Sequence, residues 1–136
     1  MKTLKIIVCF FVLGTISACA KLCSSGYEGS DCNTLSKTRF IGVWTVTLPP
    51  TTLAYLDTIS SATGAPNVTI SRGFGAFAFM HPISATVSND IVTIPLQEPD
   101  SNSNTVEGSG TINAAGNSIN WIYQINGTND TSVWTK

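Results

Sequence analysis

Residues 38–136 alternate apolar and polar side chains with a period of two, and clusters of Asn, Asp, Gly and Ser interrupt the alternation at intervals of about ten residues. Such a pattern predicts antiparallel strands with one buried face, and no stretch carries the 3.6-residue stripe of an amphipathic helix. In the first strand, residues 40–48, Phe40, Gly42, Trp44, Val46 and Leu48 share a face while Thr45 and Thr47 point away. Pro49 and Pro50 then stop the ladder, because proline donates no backbone hydrogen bond. Further strands are predicted at residues 53–60, 67–72, 77–80 continuing into 83–88, 91–96, 105–113, 118–126 and 130–136, which makes about eight. Ser88-Asn89-Asp90, Ala115-Gly116-Asn117 and Asn126-Gly127-Thr128-Asn129 suit tight hairpins, so the expected topology is a meander. Residues 97–104, with Pro99 among Asp, Ser and Asn, read as a solvated loop at one end of the sheet. A meander with one apolar face must hide that face and both edges, and closing it into a small all-β antiparallel barrel does both. A two-sheet β-sandwich is the alternative.

The start of the chain follows a different pattern. Lys2 and Lys5 precede an apolar run at residues 6–13 that is too short to span a bilayer, as in an export signal. Ile16-Ser17-Ala18-Cys19 resembles the lipobox of bacterial lipoproteins. The resemblance implies removal of residues 1–18, acylation of Cys19, and a lipid anchor in the outer membrane of a Gram-negative envelope, facing the periplasm or the surface. Ala18-Cys19-Ala20 also fits the small-x-small rule of ordinary signals, and cleavage after Ala20 would release a soluble secreted protein. Either way one domain is expected: residues 19–37 form the tether and residues 38–136 the barrel.

Processing also changes the charge. Two of the seven Lys and Arg lie in residues 1–18 and none of the eight Asp and Glu, so the remaining 118 residues carry five against eight, a formal charge of −3. There is no basic run, which argues against nucleic acid and gives anionic lipid headgroups little to attract. A neutral or apolar partner and a monomeric state are expected. Cys9 leaves with the signal and Cys19 is consumed by acylation, so Cys23 and Cys32 remain as the disulfide pair.

Cys23-Ser-Ser-Gly26-Tyr27-Glu28-Gly29-Ser-Asp-Cys32 resembles the C-terminal loop of an EGF-like module, CxxGYxGxxC, over ten residues. Such a stub can be an adhesion contact with Tyr27 exposed at its tip, or a stiff spacer. At Phe40-Ile41-Gly42-Val43-Trp44 the chain resembles the GxW start of the lipocalins. The remainder, with Ile91-Val92-Thr93-Ile94-Pro95 and Gly108-Ser109-Gly110, is similar to the small lipocalin-like domains of Gram-negative lipoproteins. That resemblance implies an up-and-down barrel with Trp44 plugging its closed end. From Phe40 onward there are 97 residues, fewer than in a standard lipocalin, and no segment for its C-terminal helix.

Candidate chemistry is sparse. His81 is the single histidine, and no His, Cys, Asp or Glu lies within eight residues of it, so neither a metal site nor an acid/base pair is supported. Glu98 and Asp100 fall in the Pro-containing loop, where solvation explains them better than glycosidase chemistry. Ser109 lacks the glycine spacing and the strand-to-helix turn of a nucleophile elbow; the glycines beside it let the barrel bend or let Trp44 approach. The Asn-x-Thr triplets at Asn67, Asn126 and Asn129 are ordinary loop and strand residues in a bacterial lipoprotein. No cofactor, no metal and no catalysis are expected. The densest feature is Gly73-Phe74-Gly75-Ala76-Phe77-Ala78-Phe79-Met80. Trp44, Tyr55, Phe74, Phe77, Phe79, Trp121 and Tyr123 are the candidate wall of an apolar pocket, or else the core of a barrel filled by its own side chains. The sequence thus points to a binding module for a small apolar molecule or a protein partner. The alternative is a surface adhesion or protein-inhibitor module acting through residues 97–104 and 63–66.

Overall fold

The computed structural model describes residues 22–71, 73–75, 77–100 and 103–136, so the expected export signal and the expected acylation site Cys19 lie outside the described residues. In chain order the elements are β1 (Tyr27–Glu28), β2 (Thr34–Leu35), a short 3-10 helix (Ser36–Arg39), β3 (Gly42–Thr47), β4 (Ala54–Ser61), β5 (Asn67–Ile70), β6 (Gly73–Phe74), β7 (Phe77–Ala78), β8 (Ile83–Ser88), β9 (Ile91–Gln97), β10 (Val106–Ile112), β11 (Ser118–Ile125) and β12 (Thr128–Thr135). Eight of these close into a barrel in the order β3-β4-β5-β8-β9-β10-β11-β12, every pair antiparallel. Closure is made by Val133, Trp134 and Thr135 of β12 pairing with Thr47, Val46 and Thr45 of β3. The fold is therefore a small meander barrel, and the sandwich alternative falls because no barrel strand is left with a free edge. Among the described residues no helix is long and apolar enough to cross a membrane.

The alternation decides which side chains fill the interior. Trp44 and Val46 on β3, Ile59 on β4, Val68 and Ile70 on β5, and Trp134 on β12 are buried, whereas Val43, Leu56 and Ile122, one residue out of phase, stay exposed. Gly108 and Gly110 face inward opposite Tyr123 and Trp121. A Cβ on Gly110 would lie 2.7 Å from the Trp121 ring, and one on Gly108 2.6 Å from the Tyr123 Cβ. These glycines make room for Trp121 and Tyr123, which corrects the expectation that they admit Trp44.

Alternate strands run away from and towards the N-terminal loop, residues 22–35, the part expected to serve as a tether, which gives the barrel a tether end and a far end. The tether end holds the 3-10 helix, the β4–β5 connection and the β8–β9 turn. Here Trp44 is fully buried and its Nε1–H donates to Phe40 O at 2.7 Å. Gly42 adopts φ 139°, a conformation other residues rarely reach, and Lys136 Nζ sits 4.2 Å from the centroid of the Trp44 ring while donating to Arg39 O and Ile41 O. Lys37 turns inward and donates to Ala62 O at 2.9 Å, Gly64 O at 2.8 Å and Asn67 O at 3.3 Å, fixing the β4–β5 connection.

The disulfide Cys23–Cys32 closes the N-terminal loop, and β1 and β2 pair within it. This loop packs against the barrel. Gly26 lies so close to Ala65 and Pro66 that a Cβ there would meet Pro66 N at 2.7 Å, and Arg39 links Glu28 of the loop at 2.9 Å to Asp90 of the β8–β9 turn at 2.5 Å. Tyr27 is half-buried, not an exposed tip.

Three local expectations are corrected. Residues 77–80 do not run on into 83–88: β7 folds back on β6, with Gly75 at φ 60° in the turn, because doubling back buries Phe74 and Phe79, which an extended strand would expose on alternate sides. β12 begins at Thr128, two residues early, since Asn126 and Gly127 both take positive φ and make a two-residue hairpin turn. The loop after β9 is not wholly solvated: Pro99 and Asp100 are buried, and Asp100 accepts hydrogen bonds from the Met80 N–H and from Asn104 Nδ2, tying the loop to the stretch before β8.

Candidate functional site

The end of the barrel far from the tether is covered by the β6–β7 hairpin. Phe74 enters the barrel from this hairpin and is fully buried. Its ring centroid lies 5.1 Å from Trp121 and 4.8 Å from Tyr123, both edge-on, and 5.6 Å from Trp134. Edge-to-face packing of this kind adds to the apolar burial of each ring. Gly75 is required twice over: its φ is positive, and a Cβ would meet the Tyr123 ring at 2.6 Å. Outside this plug, Phe77 stacks at a tilt on Phe79, 4.8 Å between centroids.

The structure divides the predicted wall residues into two groups. Trp44, Phe74, Phe79, Trp121 and Tyr123 are buried in the core, and Trp44 sits among the residues of the tether end. Tyr55 and Phe77 are half-buried and, with Gly73 and Ala78, line a cleft of ≈ 270 Å³ at the far end. Two important residues escaped the sequence reading. Trp134 completes the aromatic cluster, 5.4 Å from Trp121, and its phase with Ser132 on β12 was the available signal. Asp57 was missed as well, although it falls in phase with the apolar Ile59 on β4.

Asp57 is 2% exposed and lies opposite Trp44 in the β3–β4 register, so its carboxylate points into the barrel. Oδ1 accepts hydrogen bonds from the Ser71 hydroxyl and, at 2.6 Å, from the Thr58 N–H. Oδ2 is buried without a partner. Burial pushes the Asp57 carboxyl up to about 6, against the opposing effect of the hydrogen bonds from Ser71 and Thr58. Burial, reinforced by the nearby charge of Asp130, likewise raises the Tyr123 phenol. A Cβ placed on Gly73 would lie 3.6 Å from Tyr55 Cε2 and 3.9 Å from Asp57 Oδ2. Gly73 thus stands between the cleft and Asp57, whose Oδ2 has no accessible surface.

Elsewhere, Leu96 and Ile122, 65% and 68% exposed, border a groove of ≈ 440 Å³ on the outer wall along β9, β10 and β11. His81 is exposed between β7 and β8, and Ser109 points outward from β10. Among the described residues no group of three or more His, Cys, Asp or Glu could hold a metal ion. Compared with protein-family models, curated proteins and solved structures, the chain matches none.

Proposed function

We propose that this protein is a lipid-anchored envelope protein whose barrel is a binding module, taking a small, largely apolar molecule in the cleft between Tyr55 and Phe77. The observation that carries the reading is the position of that cleft: two half-buried aromatic rings border open space at the end of the barrel opposite the tether. Anchoring through Cys19, as Ile16-Ser17-Ala18-Cys19 implies, would leave this end free to meet a ligand. The barrel interior supplies rigidity, since Phe74, Trp121, Tyr123 and Trp134 lock the far end behind the cleft.

Titration of the isotope-labelled protein with indole and with toluene tests this, read from backbone amide shifts. Shifts confined to Tyr55, Gly73, Phe77 and Ala78 are expected; no shift there with either probe overturns the reading. A second reading, recognition of a protein partner, is favoured by the exposed Leu96 and Ile122 on the outer groove. It predicts that probe binding fails while Leu96→Ser and Ile122→Ser change adhesion of the cells that display the protein.

A further inference from the structure

We infer that the groove on the outer wall along β9, β10 and β11 is a second binding site, which takes a neutral oligosaccharide. It shares no residue with the Tyr55–Phe77 cleft.

The groove starts from a proline. Pro95 donates no ladder hydrogen bond, and the register of β9 on β10 shifts around it. Ile94 lies opposite Gly108 and Gln97 opposite Val106, so Pro95 and Leu96 together face Glu107. The bulge interrupts the alternation, and both Pro95 and Leu96 are exposed on the outside. Beside them two rungs of the ladder cross the wall. One is Glu107, Gln124 and Asn129 on β10, β11 and β12; the other is Thr93, Ser109 and Ile122 on β9, β10 and β11. With neighbouring strands about 4.8 Å apart, each rung is about 10 Å across. The groove over them has a volume of ≈ 440 Å³.

These rungs present one carboxylate, two amides and two hydroxyls, and no described residue hydrogen-bonds to any of those five side chains. The amides nearer the barrel ends are committed: Gln97 to Ser84 and Pro95, Asn113 to Asn117, and Asn126 to Asn104. A single unpaired polar side chain is ordinary surface. Five of them in register on closed strands form a fixed array of hydrogen-bonding groups around Ile122, and a ligand need not order the backbone to meet it.

Charge selects the occupant. The eight barrel strands contain three charged residues, Asp57, Glu107 and Asp130, and no Lys or Arg. Asp57 faces inward, and Asp130, in phase with the buried Ser132 and Trp134, stands at the far mouth, so the wall itself carries Glu107 alone. Phosphates, acidic sugars and anionic lipids find no cation there. A second copy of this chain would bring none to meet Glu107. An extended peptide that adds to a sheet needs a free edge, which the closed barrel lacks. Leu96 and Ile122 are parted by Glu107 and Ser109 of β10, so they do not make one apolar patch for a folded partner. A neutral sugar meets every condition. Each of its hydroxyls both donates and accepts, which suits the acceptor Glu107 as well as the amides and hydroxyls, and its C–H faces can cover Leu96 and Ile122.

The test uses the isotope-labelled full-length protein in a polyoxyethylene detergent, whose head group carries no sugar. Cellohexaose, maltohexaose and tetragalacturonate are titrated in turn and backbone amide shifts are recorded. At least one neutral hexasaccharide is expected to shift Thr93, Glu107, Ser109, Gln124 and Asn129 while leaving Gly73, Phe77 and Ala78 in place. Tetragalacturonate is expected to bind at least tenfold more weakly, and the double variant Gln124→Ala, Asn129→Ala to weaken the neutral sugar at least fivefold. Both side chains lie on the outer wall, and unchanged amide positions at the cleft report that the variant is folded. No groove shift with either neutral sugar overturns the inference and leaves the groove to a protein partner. Equal affinity for the acidic sugar, or full affinity in the double variant, overturns it as well. Groove shifts that grow with protein concentration before any sugar is added would make the wall an interface between copies, which also overturns it. The cleft reading rests on other amides and other probes, so either can fail alone.

Discussion

Asp57 is a buried residue whose charge works against folding. Its carboxyl titrates near 6 in the folded protein and near 3.8 in an unfolded chain, so the folded state holds the proton more tightly. The stabilisation this gives is fully present below about pH 4 and is lost as the pH rises through about 6. We therefore expect Asp57→Asn and wild type to melt alike near pH 4, and the variant to melt higher at pH 7, by several degrees. Thermal unfolding followed by circular dichroism at the two pH values checks this, and a difference independent of pH would contradict it. The same scale explains why small residues recur opposite large ones. Gly108 and Gly110 are the complement of Tyr123 and Trp121, a relation set across β10 and β11 and not along either strand.

Among the elements, the 3-10 helix has an effect out of proportion to its four residues. It carries Lys37 into the tether end, where one ammonium satisfies carbonyls of Ala62, Gly64 and Asn67. Lys37→Met keeps the length and apolar stem of the side chain but removes the ammonium from all three carbonyls, leaving those of Gly64 and Asn67 with only their backbone donors. A loss of about 1–3 kcal/mol is expected. Hydrogen exchange should localise it: faster exchange of the Ala62 and Asn67 amides is expected, because these close the β4–β5 connection through the Asn67 and Gly64 carbonyls. Unchanged exchange at both would show that the lysine does not hold the connection. At the other end, the β6–β7 hairpin was not legible in the sequence, because strands of two residues each are too short to show a period.

For the whole molecule, the N-terminal loop and the barrel act together at the tether end. A cross-link spanning ten residues restrains the unfolded chain by about 2.7 kcal/mol. Gly26 against Pro66 and Arg39 between Glu28 and Asp90 couple the loop to the barrel, so that restraint belongs to the barrel as well as to the loop. The pair Cys23→Ser and Cys32→Ser is expected to lower the stability of the whole protein by about 1–3 kcal/mol in a single cooperative transition. Loss of protease resistance near residue 30 with an unchanged melting midpoint would instead make the loop an independent spacer. The arrangement keeps the disulfide-closed N-terminal loop and the Tyr55–Phe77 cleft at opposite ends of the barrel.

The sequence by itself determined the fold class. Period-two alternation assigns each side chain to a face, and short polar turns bring consecutive strands together, so an antiparallel meander follows from local physics, while the choice of a closed barrel over a sandwich was decided by the pairing of β12 with β3. It also determined the Cys23–Cys32 pair, the buried face of β3, and the aromatic concentration at residues 73–80. Only the tertiary structure decided which aromatics became core and which lined open space. Trp121 and Tyr123 gained their places from glycines on a neighbouring strand, Phe74 from a hairpin that doubles back, and Tyr55 from a cleft made by that hairpin. Asp57 shows the limit most directly. Its phase on β4 told which way it points, but whether its second oxygen would find a donor depended on Ser71, Gly73 and the ribbon above them, groups brought together by closure of the barrel.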